Sequence, residues 1–275
     1  MLKTIFCDLD GTLLDNKNRI VPGTAEAIRK FTSFGGEFII ATGRLDHDIV
    51  YVEKRMEISG LYRISQNGAV IKDHHGNMFS GKRINSEIAR QISKLLYEKD
   101  IRFEVSDFKR RYFPSSRPEG EVAEFVDSSI IIPNMYERIG IDIFPTIFLI
   151  FGNLDIFSEI RQEVAEKYGE FVDCVITSKH SLEIIPKDVS KGMAIRKIMD
   201  ELKLKSNQVH VIGDSENDIS MYEVTKNSYA MEHSPISVKE KSTYIYNTVI
   251  DCIRSMLNDS CSGMERIDQT EERNK

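Results

Sequence analysis

Short apolar runs that end in polar residues alternate with stretches of helical spacing along the first part of the chain. Ile5, Phe6, Cys7 and Leu9 make a run too short for an ordinary helix and without its spacing, so they predict a buried strand. Asp8, Asp10 and Gly11 close it. Pro22 opens a helical pattern with Ala25, Ala27, Ile28 and Phe31 apolar, and Gly35-Gly36 stops it. Phe38–Ala41 predicts a second buried strand that runs directly into Thr42, Gly43 and Arg44. A strand, helix, strand unit has parallel strands, so Asp8 and Thr42 are expected on one sheet edge, where open α/β sheets bind ligands.

Ile49–Ile58 continues as a helix and Leu61–Ser65 as a third strand. Gln66-Asn67-Gly68 has the chemistry of a tight turn, with Ala69–Ile71 as the return strand of a hairpin and a second turn at His74–Asn77. His74 and His75 would point different ways in any regular element and lack ligand spacing, so they are expected to face solvent. From about Arg83 the character changes. Ser86–Tyr97 and Ile156–Tyr168 read as helices, and Ile101–Val105, Ser129–Ile132, Thr146–Phe151 and Cys174–Thr177 as strands. Lys109–Tyr112 reads as a solvated turn or as a basic lip for an anionic substrate. With no acidic motif at a strand end, this stretch reads as an α+β module inserted in the first domain.

Ser181–Pro186 leads back to the original style of chain, and Ser190-Lys191-Gly192 precedes a helix over Met193–Leu202. A lysine at a helix N-terminus gains more from an anion than from the helix dipole. Val209–Gly213 is the next buried strand and ends in Gly213–Asp218, where Ser215 and Asn217 are also candidate helix caps. Tyr229–Met231 and Tyr244–Tyr246 are short strands and Val249–Leu257 a closing helix. Asn258–Lys275, charged and poor in large apolar residues, is expected to be a disordered tail.

The chain has 275 residues, room for one large domain or two modest ones, and its 41% hydrophobic and 29% charged residues suit a globular protein. A net charge of −6 leaves no basic excess for general nucleic-acid binding. Cys7, Cys174, Cys252 and Cys261 form no C-x-x-C pair, which argues against a structural zinc site and a disulfide framework. With no signal-peptide core and no apolar run of membrane-spanning length, a reduced, cytoplasmic protein without a membrane partner is expected. No pattern specifies an oligomeric state.

Two carboxylates at the end of an apolar strand gain nothing from burial unless they are paired or bind a cation. They belong to an ordered set: D-L-D-G-T at Asp8–Thr12, A-T-G-R at Ala41–Arg44, S-K-G at Ser190–Gly192 and G-D-S-E-N-D at Gly213–Asp218. Each member lies at a predicted strand end or helix start. Together they resemble the haloacid dehalogenase (HAD) superfamily, and within it the Cof-like phosphatases, whose α+β cap is inserted between the second and third motifs.

The resemblance implies an α/β fold: a Rossmann-like, mostly parallel core over residues 1–82 and 186–275, with an inserted α+β cap over 83–185. It implies a phosphatase for small-molecule phosphate monoesters, sugar phosphates or phosphorylated cofactors, working with Mg2+ through an aspartyl phosphate. Asp8 would be the nucleophile and Asp10 the acid and base. The Asp8 side chain, the Asp10 backbone carbonyl and the Asp214 side chain would hold the metal, with Asn217 and Asp218 in support. Thr42, Gly43 and Lys191 would bind the phosphoryl group, and Asn67 and Arg44 are candidates for substrate contact. Two stretches depart from the family pattern: Asp188 stands where a glycine is usual, and Met231-Glu232-His233-Ser234 replaces Met-Gly-Asn-Ala, adding bulk and a charge. Aspartate tolerates the left-handed conformation better than most residues. Competing readings are phosphotransfer to a second sugar, as in phosphomutases, and a non-catalytic binding or regulatory protein on the same scaffold.

Overall fold

The first apolar run lies in the strand Thr4–Cys7, where Ile5–Cys7 are all apolar because both faces of the strand are covered. Ile5 and Cys7 pack with Ile28 and Phe31 of helix Thr24–Ser33 and with Ile49, Val52 and Met56 of helix Asp46–Met56. Phe6 packs on the opposite side with Ile195 and Ile198 of helix Lys191–Leu202. Each such side chain stabilises the fold by about 1.5–3 kcal/mol relative to exposure.

The computed structural model describes residues 3–15, 17–117, 125–178 and 180–257. Its core sheet has five parallel strands in the order Tyr244–Tyr246, Ser228–Met231, Val209–Gly213, Thr4–Cys7 and Glu37–Ile40. From Thr4–Cys7 the chain moves outward to Glu37–Ile40, and from Val209–Gly213 it moves outward the other way. The crevice at the ends of the two central strands is therefore a topological switch point, where such sheets bind ligands. Tyr62–Ser65, Val70–Asp73 and Met78–Gly81 form a separate three-stranded antiparallel sheet. The Thr42 N–H donates to the Ile64 carbonyl and joins that sheet to the core.

The α+β cap is a six-stranded sheet in the order Val172–Ser178, Ser181–Pro186, Ile147–Phe151, Phe103–Ser106, Arg111–Phe113 and Ser129–Ile131. One face carries Phe103, Val105, Phe148, Ile150, Leu182 and Ile184, packed on Ile92 and Leu96 of helix Ser86–Glu98 and Ile160 and Val164 of helix Leu154–Tyr168. Among the described residues, no helix is long and apolar enough to cross a membrane.

Several local expectations differ from the structure. The second helix begins at Asp46 rather than Ile49, because its first turn is the acidic Asp46 and Asp48, outside the apolar periodicity. His74 and His75 lie in the turn rather than in a regular element, so their rings can stand 3.8 Å centroid to centroid, and both residues are exposed as expected. Lys109–Tyr112 divides into a turn and a strand. Asp107 Oδ1 accepts the Lys109 and Arg110 N–H groups, and Arg111 is buried in the following strand with its Nε on Ser106 Oγ at 3.1 Å. Asp188 has φ 59, the left-handed conformation expected of a glycine position. Cys261 and the tail expectation for Asn258–Lys275 lie outside the described residues.

Candidate active site

Parallel register places Cys7 opposite both Ile212 and Ile40, so the residues that follow all three strands emerge at one edge. The Asp8 N–H donates to the Ile212 carbonyl at 2.9 Å and holds Asp8 against the strand that delivers Asp214. One carboxylate oxygen each from Asp8, Asp214 and Asp218 lies within 4.8 Å of the others, and all three residues are buried. Residues some two hundred positions apart in the chain thus meet.

Gly11 makes the approach possible. It has φ +80, and a Cβ there would stand 2.6 Å from Asp214 Oδ2, so a side chain would push the Asp214 carboxylate out of the cluster. Thr12 Oγ1 donates to Asp214 Oδ1 at 3.1 Å. Both oxygens of Asp218 are engaged: Oδ1 by Lys191, Oδ2 by the N–H groups of Asp214 and Ser215 at 2.8 and 3.0 Å. Asp218 therefore shapes the loop that presents Asp214. Ser215 takes part in the short 3-10 turn Glu216–Asp218, whereas the Asn217 side chain caps nothing and donates instead to Asn67 Oδ1 at 2.9 Å.

Lys191 enters from the N-terminus of its helix, which Ser190 caps by accepting the Met193 N–H at 3.1 Å. Its Nζ lies 2.5 Å from Asp8 Oδ1 and 2.7 Å from Asp218 Oδ1, and the residue is fully buried. Burial works against its charge, but Asp218 and Asp8 outweigh burial and hold the ammonium above its ordinary range. Burial also pushes the Asp8 carboxyl well up; Lys191 opposes the rise, and Asp218, Asp214 and Asp10 add to it. Three buried acids around one lysine leave an excess of negative charge, and the donors are all hard oxygens. That set fits a divalent cation such as Mg2+.

Asp10 is half-exposed, and its carboxylate is paired with Arg44. Arg44 holds it through Nε at 2.8 and 2.9 Å and Nη2 at 2.7 Å, and Nη2 also donates to Asn18 Oδ1 at 3.0 Å. Arg44, a candidate for substrate contact, thus holds Asp10, with its guanidinium 4.5 Å from the centre of the Phe125 ring. Thr42 is buried and its Oγ1 accepts the Arg44 N–H at 3.1 Å, which leaves the hydroxyl proton to donate elsewhere. His233, one of the departures, stands with Nε2 3.6 Å from Asp214 Oδ2.

Asn67 is buried, with φ 53, and its amide is spent on Asn217 and on the carboxylate of Glu183, a cap residue. Glu183 and Thr12 are the residues whose part here sequence reasoning missed. A lone acid inside the apolar run Leu182–Ile185 was the available signal for Glu183, and Thr12 stood within the first motif without a role.

The sequence pattern described as haloacid dehalogenase-like hydrolase matches residues 5–251. The chain belongs to that family. It is 31% identical over 265 residues to a candidate phosphatase of Mycoplasma pneumoniae, covering 89% of this chain and 90% of the other. It is 28% identical over 272 residues to the 5-amino-6-(5-phospho-D-ribitylamino)uracil phosphatase YwtE of Bacillus subtilis, covering 89% and 92%. TM0651 of Thermotoga maritima superposes with a TM-score of 0.74 at 26% identity, covering 89% and 92%. The enzyme is a hydrolase acting on phosphate monoesters, and its family membership carries a divalent metal.

Proposed function

We propose that this enzyme is a Mg2+-dependent phosphatase that hydrolyses small-molecule phosphate monoesters through an aspartyl phosphate on Asp8. The convergence of the Asp8, Asp214 and Asp218 carboxylates around the Lys191 ammonium carries the reading. The Asp8 and Asp214 side chains and the Asp10 backbone carbonyl would hold the cation, with Asp218 behind them. When bound, Mg2+ supplies positive charge that offsets the repulsion between an anionic ester and an anionic nucleophile.

The chain's own residues do the rest. Lys191 fixes one oxygen of Asp8, and the carboxylate attacks phosphorus in line with the leaving oxygen. Lys191, the Thr42 hydroxyl and the Gly43 backbone bind the phosphoryl oxygens. Asp10, released from Arg44, protonates the leaving oxygen and then takes a proton from the water that cleaves the aspartyl phosphate.

Sugar phosphates or phosphorylated cofactors are the proposed substrate class. The phosphoribityl compound in the name of the YwtE relative and the polar seam between cap and core support it. Domain limits of 1–82 and 186–275 for the core and 83–185 for the cap are proposed; the sheet memberships support them to within a residue, since the cap strand Ser181–Pro186 runs through Pro186.

Chelation tests the metal. Dialysis against EDTA is expected to abolish phosphate release from p-nitrophenyl phosphate, and added Mg2+ to restore it. A full rate in protein shown metal-free by emission spectroscopy would remove the cation from the account.

A further inference from the structure

Side chains alternate between the two faces of the cap sheet. Leu182 and Ile184 face the helices with their cross-strand partners Ile150 and Phe148, so Glu183 and its partner Leu149 face the other way. Glu183 is buried all the same, because that face closes onto the core. Its Oε2 accepts from Asn67 Nδ2, and its Oε1 lies 3.2 Å from where a Cβ on Gly43 would stand.

The contact continues inward. Asn67 Oδ1 accepts from Asn217 Nδ2 at 2.9 Å, and Asn217 sits in the loop between Asp214 and Asp218. Glu183 Oε2 accepts from Asn67 whether the carboxyl is protonated or ionised, so Asn67 gives its N–H to the cap and keeps its carbonyl for Asn217. The same turn anchors a second cap contact: Gln66 Nε2 donates to the Asp107 carbonyl at 2.9 Å, and the Thr146 hydroxyl meets Gln66 Oε1. Gln66 and Asn67 both hold positive φ, 52 and 53, in a buried turn. Such strain persists only where surrounding contacts over-determine it.

We infer that Glu183 is a positioning residue: closing the cap seats it on Asn67 and Gly43 and, through Asn67, fixes the Asn217 amide and the loop of Asp214 and Asp218. The phosphoryl and cation sites are then complete only under a closed cap, a statement that rests on the phosphatase reading above. The seam has a proton linkage. Burial pushes the Glu183 carboxyl up to about 7, against the opposing charges of Arg111 from a more distant strand of the cap sheet and Lys191 from the core helix, while Asp10 from the first loop adds to the rise. A carboxyl held above its exposed value favours the closed form below that exposed value. The advantage is lost as pH rises through about 7.

The test is a double-mutant cycle on the full chain with Mg2+, using p-nitrophenyl phosphate and ribose 5-phosphate. Glu183→Ala and Asn67→Ala are each expected to lower kcat about tenfold on both esters, and the double variant to fall no further, since both cut one path. Their KM values should move less than about threefold, the split expected when alignment rather than binding is lost. Glu183→Gln keeps an acceptor oxygen, so it is expected to restore most of kcat and to lack the pH inflection near 7 that is expected of the wild-type kcat profile.

Melting temperatures close to wild type show that the variants fold; should Glu183→Ala not fold, the pH profile of Glu183→Gln decides. Unchanged kcat in Glu183→Ala, losses that multiply in the double variant, or a wild-type pH profile in Glu183→Gln would overturn the positioning role. A wild-type protein inactive on every phosphate ester would overturn the phosphatase reading instead.

Discussion

Asp8→Asn protein is expected to lose kcat by a factor on the order of 10⁴ to 10⁶, the scale on which a nucleophile is missed, while remaining folded. The amide keeps a hydrogen-bonding oxygen for Lys191 and removes a buried charge from a cluster that already holds Asp214 and Asp218. Its melting temperature should therefore stay within a few degrees of wild type. The measurement is phosphate release alongside a thermal melt. Activity within about tenfold of wild type would take the nucleophile role from Asp8. Loss of the fold together with activity would make Asp8 a structural residue.

Lys191→Met is expected to act on stability as well as on turnover. Methionine has similar length and fills the space, so the change removes charge rather than volume. It leaves the Asp8 and Asp218 carboxylates buried without the ammonium that now stands 2.5 and 2.7 Å away. Breaking a buried pair from one side costs about 3–5 kcal/mol, which for a chain of this size lowers the melting temperature by on the order of 10 °C.

The deficit should shrink as pH falls. Burial has already raised both carboxyls, so they take up protons above the usual carboxylate range and stop needing a counter-charge. Mg2+ should restore part of the loss by binding the folded form alone, about 2.7 kcal/mol at a hundred times its dissociation constant. An unchanged melting temperature in metal-free buffer would mean that Lys191 does not balance these acids.

The strand ends were legible because a strand buried on both faces is apolar throughout, so the polar residues that terminate it stand out. Asp8 and Thr42 could be placed on one edge from the sequence, since parallel strands carry their C-terminal ends together, whereas Asp214 joined them only through the family resemblance. Asp188 is a similar case: its left-handed conformation follows from a loop whose shape outlasts the change of residue.

What could not be read depends on side-chain direction and on how the cap sits over the core. Asp10 points to Arg44 because a rotamer and a cation across the loop decide it, and neither leaves a trace in spacing. Glu183 is a lone acid in an apolar run, and which face of the cap meets the core is a property of the assembled layers. Arg111 sits in a basic run that suggests solvent, yet strand alternation turns it inward onto Ser106.

The covalent step is the central claim, and Asp10→Asn protein tests it most directly. Nitrophenolate leaves without being protonated, so this variant is still expected to transfer phosphate from p-nitrophenyl phosphate to Asp8. It lacks the base that activates water for the second step. The expected result is a burst of about one equivalent of nitrophenolate followed by a stall. Acid-quenched protein should then carry phosphate on the peptide containing Asp8, removed by borohydride as an acyl phosphate is. Steady release of inorganic phosphate with no covalent adduct, or an adduct on any other residue, would contradict the account.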